Sequence, residues 1–207
     1  NKDAVSACPK TWADLFDTAK FPGKRAFYKW SAPGVIEAAL LADGVAADKL
    51  YPLDLDRAFK KLDTIKADII WWDSGAQSQQ LLASAEAPFG SFWNGRLTAL
   101  AQTGVSVETS WTNNITAADA LVVPKGTKNK DAAMKFIAHA TSDMAQAQFA
   151  TATGYAPINL GANVLMDAAL RETLPDMKAD TQVNADMDYW AEHRDDIGTR
   201  WYAWQAQ

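Results

Sequence analysis

Short apolar runs alternate with longer amphipathic stretches through the first half of the chain. Lys24 to Trp30 reads as a strand, and Gly34 to Ala42 as a helix with Val35, Ile36, Ala39 and Leu40 on one side. Leu53 to Ile65 predicts an amphipathic helix entered through Asp54, with Leu55, Phe59, Leu62 and Ile65 inward. Asp68 to Trp71 then reads as a strand, Ser74 to Ala85 as a helix, Pro88 to Phe92 as a strand, Asn94 to Gln102 as a helix and Val105 to Thr109 as a strand. Strand and helix alternate at the spacing of right-handed βαβ units, so the fold class is α/β.

The pattern changes after residue 112. Asn113 to Ala118 is polar and loop-like, Leu121-Val122-Val123 predicts a short buried strand stopped by Pro124, and helices follow at Asp131 to Ala140 and Ser142 to Thr153. Gly154-Tyr155-Ala156-Pro157 breaks the chain, and Val164 to Glu172 and Asp188 to Tyr202 read as later helices. Crossings between lobes are expected near 113–118 and 158–165.

Three apolar runs end on tryptophan followed by good helix caps: Lys29-Trp30-Ser31, Trp71-Trp72-Asp73-Ser74 and Phe92-Trp93-Asn94. If each run is a parallel strand feeding a helix, these residues gather at the carboxyl edge of one sheet, where open α/β folds hold ligands. Arg96 follows Trp93 at helix-entry spacing and offers a planar fork to a carboxylate. Each residue also has a plainer role. Trp30 and Trp72 serve equally well in packing, Asp73 and Ser74 read first as helix caps, and Arg96 suits an ion pair with Glu86 or Asp73. Trp12, Trp111, Trp201 and Trp204 read as packing residues.

Charge narrows the partners. The 207 residues are 48% hydrophobic and 22% charged, with a formal net charge of -5. Lys24-Arg25, Lys60-Lys61 and the stretch from Lys125 to Lys130 are short and solvated, so no nucleic-acid partner is expected. No run approaches the roughly 20 apolar residues of a membrane helix, which predicts a chain not embedded in a membrane. Asn1-Lys2-Asp3 does not begin a signal peptide, so a mature product or a piece of a longer chain is expected.

Catalytic and metal signatures are weak. Cys8 is the single cysteine, and without a nearby histidine it makes a poor nucleophile. His139 and His193 lack metal-ligand spacing, no Gly-x-Ser-x-Gly elbow occurs, and Lys125-Gly126-Thr127 lacks the glycine preceding a phosphate-loop lysine. Nothing fixes a separation between Glu86 and Glu108. The expectation is a protein without enzymatic activity, catalytic residue, metal or cofactor.

Several motifs occur in order along the chain: Thr11-Trp12-Ala13-Asp14-Leu15-Phe16, Phe21-Pro22-Gly23-Lys24-Arg25, Trp93-Asn94-Gly95, Val123-Pro124-Lys125-Gly126 with Asn129-Lys130-Asp131-Ala132-Ala133, and Gly154-Tyr155-Ala156-Pro157. Together they resemble the polyamine-type solute-binding proteins of bacterial ABC importers. The resemblance implies a periplasmic-binding-protein fold of the second type, with a doubly wound lobe, a mixed sheet and a two-lobed clamp that is incomplete here. It places residues 1–115 in the second lobe, 116–165 in a returning segment of the first, and 166–207 in C-terminal helices packing back on the second, with most of the first lobe missing. It further implies a periplasmic monomer that delivers a small molecule to an ABC permease in the inner membrane. Trp93 would be an aromatic wall of the pocket, Asp119 would receive a ligand ammonium, and Tyr155 would contribute from the lobe crossing.

Polyamine binders often carry an acidic residue where this chain has Arg96. An arginine there favours an anion and Asp119 a cation, which a zwitterion with a short aliphatic spacer satisfies, its methylenes and ammonium covered by tryptophan faces. The simplest such ligand is 4-aminobutyrate, and the Trp-Asn-Gly-Arg arrangement followed by Asp resembles that of 4-aminobutyrate binders related to the polyamine group. At a ceiling of about 1.5 kcal/mol per heavy atom, a ligand of about seven heavy atoms reaches roughly 10 kcal/mol, enough for sub-micromolar binding. Two alternatives stay open. A polyamine would use Asp119, Asp73 and the tryptophans with Arg96 turned outward, and a sensor module would report ligand to a membrane partner.

Overall fold

The computed structural model describes residues 1–175 and 179–207, in two compact units. The first comprises Asn1–Ala117 with Met177–Gln207, and the second Ala118–Asp176. At the centre of the first unit β1 (Arg25–Tyr28) lies between β2 (Ile69–Trp72) and β3 (Phe89–Gly90), parallel to both. Ala26 and Gly90 are register partners, and a Cβ on Gly90 would run into the Ala26 carbonyl and the Phe92 ring. Glycine is what lets this short strand approach β1 so closely.

Helices connect the strands as the apolar periodicity requires. After α1 (Trp12–Phe16), α2 (Val35–Ala42) and α3 (Leu55–Asp63) form the first crossover, and α4 (Gly75–Ala83) the second. Asp54 caps α3 by accepting from the Arg57 amide, as its position predicts. Leu55, Leu62, Ile65 and Phe27 join α2 in the principal core. β1 begins with a fully buried arginine. The Arg25 guanidinium donates to the carbonyls of Leu15 (2.9 Å), Asp17, Gly23 and Phe21, fastening α1 and the following loop to the sheet.

α9 (Met187–Gln205) closes this unit. Trp190, Ile197, Trp201 and Trp204 form its buried stripe, and each indole N–H finds an acceptor: Glu37 (2.7 Å), the Lys29 carbonyl (2.9 Å) and Asp63 (2.8 Å), respectively. Glu37 is itself fully buried at the start of α2 and also accepts from the Gly34 amide (2.8 Å) and the Tyr51 hydroxyl (2.7 Å). Burial, then the Glu37 carboxylate, push the Tyr51 phenol well above its ordinary value. The fold therefore holds this proton where the unfolded chain, titrating near about pH 10, releases it. Stability is expected to fall as pH rises above about 10, and urea midpoints measured across that window should fall less steeply in Tyr51→Phe.

The second unit contains α6 (Lys130–Ala140), α7 (Asp143–Thr153), a 3-10 turn at Leu160–Val164 and α8 (Ala168–Thr173). Its core is small: Ala147, Ala150, Ala162, Met166 and Leu174, with Leu170 against them. α8 therefore belongs here rather than with the C-terminal helix, and the boundary expected at residue 165 lies farther along the chain. Met166, Leu170 and Leu174 follow a helical stripe that α7 covers, which is the physical reason. The single helix expected over Val164 to Glu172 is interrupted because Asp167 caps a new one, accepting from the amides of Ala169 (2.8 Å) and Leu170 (3.4 Å).

Two strand expectations also change. Val105 to Thr109 alternates like a strand but is irregular, joined to the N-terminal segment by the Lys2 amide donating to the Ser106 carbonyl (2.8 Å) rather than by a ladder. Ile115–Thr116, inside the expected polar loop, instead forms β4 and pairs in parallel with β5 (Val183–Asn184). Every strand pair among the described residues is thus parallel; the antiparallel part of the expected mixed sheet is not among them. Leu121-Val122-Val123 is not a buried strand: Leu121 is 54% and Val122 78% exposed, in irregular backbone. An apolar run specifies a preference for burial, and here no described strand ladders with it.

Candidate functional site

Strand order β2-β1-β3 makes the chain leave β1 toward one side of the sheet and return to β3 on the other. Such a reversal opens a crevice at the carboxyl ends of the strands. The end of β1 and the segment after β3 meet there. Tyr28, the last residue of β1, packs its ring 5.2 Å from Trp93, and α5 (Asn94–Gln102) begins immediately after that tryptophan.

Trp93 is 39% exposed and rests on a buried aromatic layer. Trp72 meets it edge-on at 5.0 Å, lies 4.7 Å from Tyr28, its register partner in the sheet, and stacks on Phe92. Trp72 is only 1% exposed and donates its indole N–H to the Ser91 carbonyl (3.1 Å). It therefore packs beneath Trp93 rather than presenting an exposed face. Side chains alternate along a strand, and the alternation turns Trp72 inward to Ala26, Leu81 and Ala87. The contact of Tyr28 with Trp93 was not legible in the sequence, because it joins segments far apart along the chain.

Arg96 is exposed in the first turn of α5. Neither Glu86 nor Asp73 pairs with it, since the Asp73 carboxylate engages Lys29 Nζ (3.1 Å), and among the described residues its guanidinium has no ion pair or hydrogen bond. Its carbonyl accepts from Gln79 Nε2 (3.0 Å), and its side chain lies against Gly75. Ser74 caps α4, accepting from the Gln77 amide (3.3 Å), while the Asp73 amide donates to Gln77 Oε1 (2.9 Å). Ser74 thus caps α4 as its position suggests, whereas the Asp73 carboxylate caps nothing and is turned to Lys29. The other two expected caps differ. α2 begins at Val35 with Gly34 as its cap, so Ser31 caps nothing, and Asn94 is the first helical residue of α5, with Trp93 in the cap position.

Trp30 stands apart from this group. It is 45% exposed, with Lys29 Nζ 4.8 Å from its ring centre and Tyr202 of α9 edge-on at 6.4 Å. A shallow depression of about 410 Å³ beside it is lined by Ser31, Arg194, Thr199 and Tyr202. A larger one, about 680 Å³, lies among Asp43, Arg57, Lys60 and Lys61 around α3; its solvated charges of both signs sit away from the strand ends. Neither depression is lined by Trp93 or Arg96, which stand at the carboxyl ends of the strands.

Asp119 and Tyr155 belong to the second unit. Asp119 is exposed on irregular chain, and Tyr155 is half-buried directly after Gly154, whose left-handed backbone (φ 75°) ends α7. His193 packs on Tyr189 at 4.3 Å. Among the described residues no three His, Cys, Asp or Glu side chains cluster to hold a metal, and no helix is long and apolar enough to cross a membrane.

Comparison with known proteins gives these features a context. The γ-aminobutyric acid-binding protein of Pseudomonas aeruginosa is 36% identical over 210 residues, spanning 98% of this chain and 59% of that protein. The spermidine/putrescine-binding periplasmic protein of Escherichia coli is 28% identical over 169 residues, spanning 80% of this chain and 48% of its own length. The solved structure of the Atu4243-GABA receptor superposes with a TM-score of 0.95 at 79% identity, covering all of this chain and 65% of that one. The chain thus spans between about half and two thirds of these relatives, and its architecture is that of periplasmic binding proteins. A family profile of bacterial extracellular solute-binding proteins matches residues 1–185, and with that match over most of its length the chain belongs to the bacterial extracellular solute-binding protein family.

Proposed function

We propose that this chain is part of an ABC-importer substrate-binding protein for a small ω-amino acid, 4-aminobutyrate, which it captures in the periplasm and delivers to an inner-membrane permease. The observation that carries the reading is Arg96. A guanidinium without an acidic partner among the described residues sits at the carboxyl edge of the sheet beside a half-exposed tryptophan, suited to a ligand carboxylate. In this reading Trp93 covers the aliphatic chain and ammonium, and the amine end falls to Asp119 and Tyr155, as the resemblance implies. The first unit is then the lobe carrying Arg96. Asp73 and Ser74 lie at its edge near Arg96, and Trp30 farther along, against Tyr202.

The relatives' ligands agree with this choice: the P. aeruginosa protein and the Atu4243 receptor are named for γ-aminobutyric acid, which is 4-aminobutyrate. Calorimetry of the full-length protein with 4-aminobutyrate and with putrescine tests it. Binding of 4-aminobutyrate in preference to putrescine supports the proposal, and heat from putrescine alone replaces it with a polyamine binder. Trp93→Ala is expected to weaken 4-aminobutyrate binding roughly tenfold, read in the same titration, because a desolvated cation loses its aromatic face.

A further inference from the structure

We infer that Gly75 is a positioning residue for Arg96, and through it a determinant of carboxylate selectivity; the selectivity half rests on the reading above, the positioning half does not. A Cβ built on Gly75 would lie 2.7 Å from Arg96 Cζ, 2.9 Å from its Cδ and closer still to its Nε, so the three nearest atoms all belong to this one side chain. No real Cβ tolerates such distances. The guanidinium therefore occupies the space that any other residue at position 75 would fill.

The backbone of Gly75 does not call for glycine on its own account. It is the first residue of α4, in helical conformation, behind a serine cap, where alanine is ordinarily the better helix former. Its glycine is explained by what crosses it. One turn farther along the same face of α4, Gln79 donates to the Arg96 carbonyl at 3.0 Å. Residues 75 and 79 thus hold the two ends of the same arginine, the glutamine its backbone and the glycine its side chain. A long side chain that would otherwise sample many rotamers is confined by shape, with no carboxylate among the described residues spent on it, and its donors stay available to a ligand.

The consequence is testable in the full-length protein with Gly75→Ala. Arg96 is the far end of a flexible side chain, so it rather than the backbone should yield, and the protein should keep or slightly raise its unfolding midpoint. Affinity for 4-aminobutyrate should fall about 10- to 100-fold, the equivalent of one lost charge-assisted hydrogen bond. Putrescine affinity should not fall. The Arg96 Nε–H resonance, assigned by its loss in Arg96→Ala, should shift in the ligand-free variant, which a merely structural glycine would not cause. The double variant Gly75→Ala/Arg96→Ala should bind no more weakly than Arg96→Ala alone.

Unchanged 4-aminobutyrate affinity in a folded Gly75→Ala protein overturns the inference. If the unsubstituted protein binds no 4-aminobutyrate, the functional reading fails and the Nε–H resonance alone decides: a shift upholds the positioning role, and an unmoved signal refutes it. Should Gly75→Ala fail to fold, restoration in the Arg96→Ala background upholds the clash with Arg96, and no restoration refutes it.

Discussion

Arg96→Ala in the full-length protein is expected to weaken 4-aminobutyrate binding by at least about 30-fold without lowering the unfolding midpoint, because removing one partner of a desolvated, hydrogen-bonded charge pair costs about 2 to 5 kcal/mol. The fold should not notice. Arg96 is exposed, and its side chain makes no ion pair or hydrogen bond among the described residues. Arg96→Lys separates charge from geometry: a lysine keeps the charge but loses the fork, so its affinity should fall between the other two. Putrescine should bind Arg96→Ala no worse than the parent, since the lost cation repels an ammonium. Calorimetry with both ligands checks all of this, and an alanine variant that still binds 4-aminobutyrate at parental affinity removes the arginine from the site.

How much of this site was legible in the sequence follows from what fixes each residue. Trp93 and Arg96 are placed by local spacing, the cap and the first turn of a helix three residues after a short strand, and α5 begins and ends where the periodicity puts it. Asp54 and Ser74 likewise cap their helices by reach alone. Trp72, suited by its position equally to packing and to a pocket, is buried because the Trp-Trp pair sends one ring to each face of the sheet, and only contacts made across the fold show how deeply each is covered. Gly75 carried no signal at all. Its role exists only where α4 and α5 lie side by side, 21 residues apart in sequence, so no window along the chain contains it.

The same distinction explains the strands. β1 from Ala26 to Tyr28 and β2 from Ile69 to Trp72 are apolar runs of β-forming residues, and the pattern finds them. β4 and β5 are two residues each, with mixed polarity, and pair across more than sixty positions. Leu121 to Val123 errs the other way, its composition announcing a strand that the described residues do not form. Local chemistry wrote the capping and the arginine into the chain; pairing between distant segments had to be seen.

Glu37 carries the largest expected effect on stability. It is a fully buried carboxylate that accepts three hydrogen bonds, from the Gly34 amide and the side chains of Tyr51 and Trp190. Its position in the first turn of α2 sets its charge against the positive end of that helix, which together with the three donors makes burial tolerable. Glu37→Ala would orphan three donors and leave a cavity among Tyr51, Trp190 and α2. At about 1 to 3 kcal/mol for each buried group left unsatisfied, partly relieved by water, the loss should be about 3 kcal/mol or more. For a chain of this size that corresponds to roughly 6 to 12 °C in melting temperature. Glu37→Gln keeps the volume and one acceptor but sets its NH2 against either the Gly34 or the Trp190 N–H, so it should cost less than alanine while remaining destabilising. The damage should be felt at α9, because Glu37 holds Trp190 at its first turns: trypsin should cut at Arg194 and Arg200 faster in Glu37→Ala than in the parent. Equal melting temperatures for the parent and Glu37→Ala, with equal cleavage rates, would show that the tryptophan stripe alone seats the C-terminal helix.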